Sequence, residues 1–335
     1  MDPIPGFVDL QVNGFGGIDF SGADLTRDDL DGAFHALLGR GTAGFLPTMI
    51  TSPMDVYRRN IPLIATMIES DAFRGRVLGL HLEGPFISSA PGAVGAHNPE
   101  FVQEPDPATL CELLNLGRGH VRMLTVAAEL EGVETLVRLA RARGVAVSIG
   151  HSLFTMEDLD RMHAAGARSL THLGNGLPNL LPRHPNPMWD GLAHDGFTAM
   201  VIADGHHLPA SVIKTMARAK GAQRLIVVSD ASPVAGLAPG EYQVLGNRAV
   251  LEPSGRLHNP DKQCLVGSSA TMLECMNFLA SLDIFGPEEM SDVGLRNPLG
   301  LIGLSTEDLR AGDSTVSFAQ GQFQLRRANC GTHTA

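Results

Sequence analysis

Short runs rich in Val, Ile and Leu alternate along this chain with longer stretches of helical period, the pattern of parallel strands joined by crossover helices. Eight such runs are centred near Val8 (GFVDLQVN), Phe45 (GFLPTMI), Leu80 (VLGLHLEG), Leu124 (RMLTVAAE), Val147 (VAVSIGHS), Leu170 (SLTHL), Val201 (AMVIADG) and Val227 (LIVVSDA). Eight parallel strands are the number that closes a barrel, so the pattern predicts an α/β fold of the (β/α)8 type. Between the runs, GVETLVRLARARG places Val133, Leu136, Val137 and Ala140 on one helical face and stops at Gly144. TRDDLDGAFHALLGRG reads the same way, from Thr26 as N-cap to Gly41. After Ala231 comes a Gly- and Pro-rich excursion to about Gly267, followed by helical text in SSATMLECMNFLASL and SDVGLRNPLGLIGL. There is no internal repeat and no low-complexity tract.

Nearly every run ends in a side chain that can bind metal or move protons. Gln11 and Asn13 close the first, His81 and Glu83 the third, Glu129 the fourth and His151 the fifth; His172 closes the sixth, Asp204 and then His207 the seventh, and Asp230 the eighth. In a barrel these ends meet on one face, where such folds place their chemistry. A histidine taken singly is more often a core or capping residue; several at successive strand ends point to a shared site. Two imidazoles and one carboxylate leave a cation an open position for water, the ligand set of a hydrolytic site. Glu83, His151 and His172 fit it, and their separations of 68 and 21 residues suit strand ends rather than a zinc finger. Asp230 would face the open position and serve as acid and base. Neutral Gln11 and Asn13 are poor ligands for a second cation, and no lysine stands in a strand-like run to bridge two. The expectation is therefore one divalent ion per chain, zinc first, with iron, manganese and cobalt as alternatives. The amides of Gln11 and Asn13 are then left to the substrate side or to hydrogen bonds that tie the barrel floor.

Composition narrows the rest. With 335 residues, 44% of them apolar and 18% charged, the chain is long enough for one large barrel with a sizeable core. A formal charge of -11, with Lys214, Lys220 and Lys262 as the only lysines, argues against nucleic acid as partner. The four cysteines (Cys111, Cys264, Cys275 and Cys330) make no Cys-x-x-Cys pair and read as reduced and mostly structural. MDPIPGFVDLQVNG lacks the basic start and apolar core of a secretion signal, and no run reaches the roughly 18 apolar residues of a membrane span. The expected setting is cytoplasmic, with no membrane partner. NGFGGIDF supplies Gly14 and Gly16 of a GxGxxG signature but has Asp19 in the third place, so it reads as a flexible rim loop rather than a nucleotide cradle.

The words HLEGPF, GAHN, SIGHS, THLGNG, IADGHH, SDASPVAG and GSSATM, in this order between about Pro5 and Leu304, closely resemble N-acetylglucosamine-6-phosphate deacetylases. The resemblance implies a TIM-like barrel of the metal-dependent amidohydrolase type that hydrolyses the N-acetyl amide of N-acetylglucosamine 6-phosphate to glucosamine 6-phosphate and acetate. It matches Glu83, His151 and His172 to the metal ligands and Asp230 to the catalytic carboxylate, as the residues themselves suggest, and Gln11-x-Asn13 to the single-metal subgroup. By the same likeness His207 contacts the scissile carbonyl, His97 the sugar, and Asn175 and Gly176 the substrate's distal end. Arg183 stands where the family offers a phosphate-binding guanidinium to the neighbouring subunit of a homodimer.

Three departures stand out. The family's small β-sandwich is absent or reduced: residues 1–312 read as the catalytic barrel, 313–328 (within STVSFAQGQFQLRRA) as remnant strands and 329–335 as a flexible tail. The family's aromatic-Asn-Ala turn is Gly174-Asn175-Gly176, and its Arg-x-Pro-Gly stretch is Arg183-His184-Pro185-Asn186-Pro187. Two other readings stay open: a deacylase for another N-acyl amino sugar or N-acyl amino acid, and a non-catalytic sugar-binding or regulatory homologue.

Overall fold

The computed structural model describes residues 2–262, 264–312 and 314–327. All eight runs become strands: β1 (Phe7–Val12), β2 (Thr42–Ile50), β3 (Leu80–Glu83), β4 (Val121–Val126), β5 (Ala146–Ile149), β6 (Ser169–Leu170), β7 (Thr198–Ile202) and β8 (Leu225–Val228). They are hydrogen-bonded in chain order as one parallel sheet. The crossovers are α1 (Arg27–Leu38), α2 (Met54–Glu69), α3 (Pro107–Leu116), α4 (Val133–Ala142), α5 (Met156–Ala165), α6 (Pro187–Ala193) and α7 (Ala210–Lys220), and α8 (Met272–Ser281) follows later. Thr26 caps α1 in a reciprocal box with Asp29, and α4 buries Val133, Leu136, Val137 and Ala140.

The seam between β1 and β8 closes differently from the other seven pairings. It has one parallel bridge, Val12 to Ala231, with Asn13 N donating to Ala231 O at 2.8 Å. Beside it the buried Asp9 carboxylate accepts from Ser229 N at 3.1 Å and Ser229 Oγ at 2.5 Å. Inside the barrel, Val8, Leu10, Leu46, Met123, Met200 and Ile226 form one apolar cluster that Leu295 and Leu299, from the helical stretch 287–301, and Ile302 just after it join, closing the base.

The Gly- and Pro-rich excursion after Ala231 has a regular structure of its own. It folds as a four-stranded antiparallel sheet, β9 (Gly240–Val244), β10 (Asn247–Leu251), β11 (Leu257–Asn259) and β12 (Cys264–Leu265), around its own small core of Val244, Ala249, Leu251, Leu257 and Val266. The glycine segment after β1 is likewise ordered: Gly14–Phe15 pairs with Ile18–Asp19, and Gly16 N and Gly17 N donate to the carbonyls of Ala235 and Pro233. A last hairpin, β13 (Ser314–Ala319) and β14 (Gln322–Arg327), bridges Ile4 through Val316 and sets Phe323 edge-on to Phe7 at 5.0 Å. It thus lies at the start of β1, the end opposite Asn13. The tail 329–335 lies outside the described residues. Cys111, Cys264 and Cys275 are unpaired thiols. Among the described residues no helix is long and apolar enough to cross a membrane.

Candidate active site

The ends of β3, β5, β6 and β8 converge. Glu83 is the last residue of β3; His151, His172 and Asp230 each follow their strand by two residues. These last three have φ of 49°, 29° and 50°, a region that few non-glycine residues occupy and that clusters at functional sites. Glu83 Oε1 lies 3.2 Å from His151 Nε2 and 3.0 Å from His172 Nε2, and the two nitrogens are 3.1 Å apart. All three residues are buried. Burial alone would push the Glu83 carboxyl up, but the close approach of the two imidazoles outweighs that and holds it well below the usual carboxylate range.

These atoms suit a cation. His151 Nδ1 is 2.8 Å from Ala93 O, which can only accept, so the ring proton sits there and Nε2 presents a lone pair. That lone pair faces a carboxylate oxygen and a second imidazole nitrogen. With His172 Nε2 unprotonated as well, its Nδ1 having no partner among the described residues, the three atoms are electron-pair donors about 3 Å apart that repel unless a positive charge lies among them, and their spacing approaches the roughly 3.3 Å of ligands sharing one tetrahedral zinc. Gln11 Nε2 donates to Glu83 Oε1 at 2.8 Å and orients the carboxylate. His97 borders the same space, its Nε2 3.8 Å from Glu83 Oε2, and with Glu83 and His151 it also satisfies the spacing of a metal cluster. Its tautomer argues otherwise: Thr51 N donates to His97 Nδ1 at 3.3 Å, so the proton of the neutral ring is on Nε2. Burial holds His97 neutral, its pKa lowered to about 3. This orientation suits His97 as a hydrogen-bond donor to the site and leaves His172, with Nε2 3.0 Å from Glu83 Oε1 and 3.1 Å from His151 Nε2, as the third atom that could hold a cation.

Asp230 faces the ligands across the mouth. Asn13 Nδ2 donates to its Oδ1 at 2.7 Å. Burial, aided by the charge of Glu83, raises the Asp230 carboxyl to about 6, the range in which a group both takes and returns a proton near neutrality. His207 Nδ1 lies 2.7 Å from Asp204 Oδ2, which fixes the ring and leaves Nε2 as its free polar atom. Burial raises Asp204, but its bonds to His207 prevail and lower it to about 2.

These groups line a cavity of about 310 Å³. Asn13, Glu83, His97, His151, His172, Asn175, Gly176, His207 and Asp230 all reach it. Gln11 does not, its amide being committed to Glu83. Gly176 has a further part: a Cβ there would lie 2.9 Å from His151 Nδ1, and one at Gly95 3.0 Å from His151 Cε1, so two glycines clasp the imidazole. Arg183 is exposed on the loop before α6 and is not among the lining residues, none of which is Lys or Arg. Among the lining residues that sequence reasoning did not find are Leu245, Cys264 and Leu265, which roof the cavity from the β9–β12 sheet. Asn247 keys that sheet to the His97 loop by donating to Ala96 O at 2.9 Å.

No family model matches the chain. Among curated proteins, the N-acetylglucosamine-6-phosphate deacetylase of Homo sapiens is 33% identical over 314 residues, 90% of this chain and 74% of its own length. The Danio rerio enzyme of the same name is 32% identical over 312 residues, covering 90% and 75%. The N-acetylgalactosamine-6-phosphate deacetylase of Escherichia coli O157:H7 is 29% identical over 301 residues, covering 90% and 78%. Among solved structures, N-acetyl-D-glucosamine-6-phosphate deacetylase from Mycobacterium smegmatis superposes with a TM-score of 0.86 at 27% identity, over 97% of this chain and 86% of that one. A mutant of that enzyme in complex with N-acetyl-D-glucosamine-6-phosphate gives the same TM-score at 25% identity, covering 97% and 85%.

Proposed function

From the premise that this chain belongs to the N-acetylglucosamine-6-phosphate deacetylase family of amidohydrolases, we propose that it is a hydrolase releasing acetate from N-acetylglucosamine 6-phosphate with one divalent ion held by Glu83, His151 and His172. The observation that carries this is the convergence of the three ligand atoms within 3.2 Å, beside a carboxylate poised near neutrality. A bound divalent ion, zinc before iron, manganese or cobalt, supplies Lewis acidity for the amide carbonyl and an acidified water. Asp230 takes the proton of the attacking water and later gives it to the departing amine. Its bond from Asn13 fixes the oxygen that accepts, and Gln11 does the same for Glu83. His207, its Nδ1–H donated to Asp204, presents Nε2 towards the scissile carbonyl. His97 Nε2–H and Asn175 hold the sugar, and the Leu245 and Leu265 side chains exclude water above it.

Among the described residues a single chain places no Lys or Arg in the cavity to meet the phosphate, so the clamp is assigned to Arg183 of a second copy, in a homodimer. The E. coli relative, named for the galacto epimer at similar identity, makes the hexose configuration worth testing too. Acetate release is compared on N-acetylglucosamine 6-phosphate, its unphosphorylated form and N-acetylgalactosamine 6-phosphate. The expected preference is for the first, with kcat/KM on the unphosphorylated sugar lower by at least about tenfold. Equal rates with and without phosphate would remove Arg183 as a clamp and favour a general N-acyl amino-sugar deacylase.

A further inference from the structure

The three residues with positive φ at the strand ends of the site, His151, His172 and Asp230, have something in common outside it. A hydroxyl residue adjoins each one: Ser152 follows His151, Thr171 precedes His172 and Ser229 precedes Asp230. Left-handed backbone costs a non-glycine residue about 1 kcal/mol or more, so such turns persist only when neighbouring contacts over-determine them. Thr171 is held by neutral hydroxyls, with Oγ1 2.8 Å from Thr125 Oγ1 and 2.6 Å from Ser148 Oγ. The other two turns are held by carboxylates that do not line the cavity.

Glu129, just past β4, accepts from Ser152 Oγ at 2.5 Å through Oε2 and from Leu153 N at 2.9 Å through Oε1. Ser152 Oγ in turn accepts from Ala128 N at 3.0 Å, so the whole turn after His151 is tied to the end of β4. Asp9, inside β1, does the same across the barrel seam. Its Oδ2 accepts from Ser229 Oγ and its Oδ1 from Ser229 N, and Ser229 Oγ accepts from Ala231 N at 3.1 Å, on the far side of Asp230. Gln11 N also donates to Asp9 Oδ1, at 3.3 Å. A carboxyl group offers two oxygens and so can hold a turn at two points, which suits an anchor for a strained turn.

We propose that Asp9 and Glu129 are positioning residues with separate charges: Glu129 sets the turn that presents His151 to the metal, and Asp9 sets the turn that presents Asp230 to the reacting water and amine. This rests on the functional reading above. It differs from a general structural role in that damage to each clamp must appear in a different measurement.

The test uses full-length protein and four variants, E129Q, S152A, D9N and S229A. Zinc affinity is measured with zinc ion alone, by competition against a chelating indicator. The kcat and KM for acetate release are measured at saturating zinc, and urea midpoints monitor folding. E129Q and S152A are expected to weaken zinc binding about tenfold or more, the range seen when groups supporting a metal ligand are lost, with kcat at saturating zinc within about threefold of the parent. D9N and S229A are expected to leave zinc affinity unchanged and to lower kcat about tenfold or more with KM little altered. S152T and S229T, which return the hydroxyl, should recover the lost property. If the parent binds zinc and releases acetate but the two pairs fail to separate, through parallel losses or none, the positioning proposal is overturned. A variant that does not fold is replaced by the serine-to-alanine member of its pair, in which the carboxylate keeps its backbone bonds. A parent protein that binds no zinc or releases no acetate overturns the functional reading, and this proposal with it.

Discussion

At the scale of single residues, chemistry and support are divided among side chains that the strands deliver together. Asp230, proposed above as acid and base, is buried, raised to about 6 and bonded to Asn13 rather than to Glu83, His151 or His172. D230N removes the proton acceptor while keeping the shape. It should retain zinc content and lose turnover by about 10²-fold or more; metal analysis and acetate release check both, and near-normal rates would end its role as acid and base. The acidic and imidazole groups at the strand ends were legible in the sequence because an apolar run delivers each to one face. Their supports were not. Asp9 and Ser229 are 220 residues apart, and only barrel closure puts them in contact. The clasp of Gly95 and Gly176 on His151 was hidden for the same reason, a glycine's value there being the absence of an atom.

At the scale of elements, the eight buried strands could be read as continuous apolar text, the signature of parallel strands covered on both faces. The β9–β12 sheet could not. Its strands are two to five residues long, and the pattern of β9 alternates between partly buried and exposed polar side chains. Its first hairpin also turns through Leu245 and Gly246, with φ of 51° and 70°, where an Asn-Gly pair would signal a two-residue turn. Leucine is strained in that conformation, yet Leu245 lines the cavity. Replacing it with Asn should relieve the turn and open the roof. L245N is therefore expected to gain about 0.5–1 kcal/mol of stability, from the αL preference of Asn, while KM rises severalfold. Urea unfolding and steady-state kinetics check the two signs; a lower stability together with an unchanged KM would show that Leu245 neither strains the hairpin nor covers the substrate.

At the scale of the whole molecule, the barrel carries polar groups through its core beneath the site. His81 donates from Nδ1 to Leu10 O at 2.9 Å and accepts at Nε2 from Thr125 Oγ1 at 2.8 Å, and burial lowers its pKa to about 4. The unfolded chain protonates this histidine below about pH 6.5 and the folded one only near pH 4. Its contribution is thus complete above 6.5 and lost as pH falls through that window, about 3 kcal/mol in all. Asp9, raised by burial to about 7, acts in the opposite sense between about pH 4 and 7, so the His81 effect is isolated by comparing the parent with H81Q. In metal-free protein the parent's urea midpoint should fall relative to that of H81Q between pH 7 and 4; parallel curves would contradict the buried neutral state. The most direct measurement concerns the metal-dependent reaction itself: acetate release from N-acetylglucosamine 6-phosphate by the protein as purified, after exhaustive chelation, and after zinc is returned stepwise. Release, its loss and a recovery that saturates at one ion per chain are expected, whereas release that survives chelation, or no release from the zinc-loaded protein, would contradict hydrolysis at Glu83, His151 and His172.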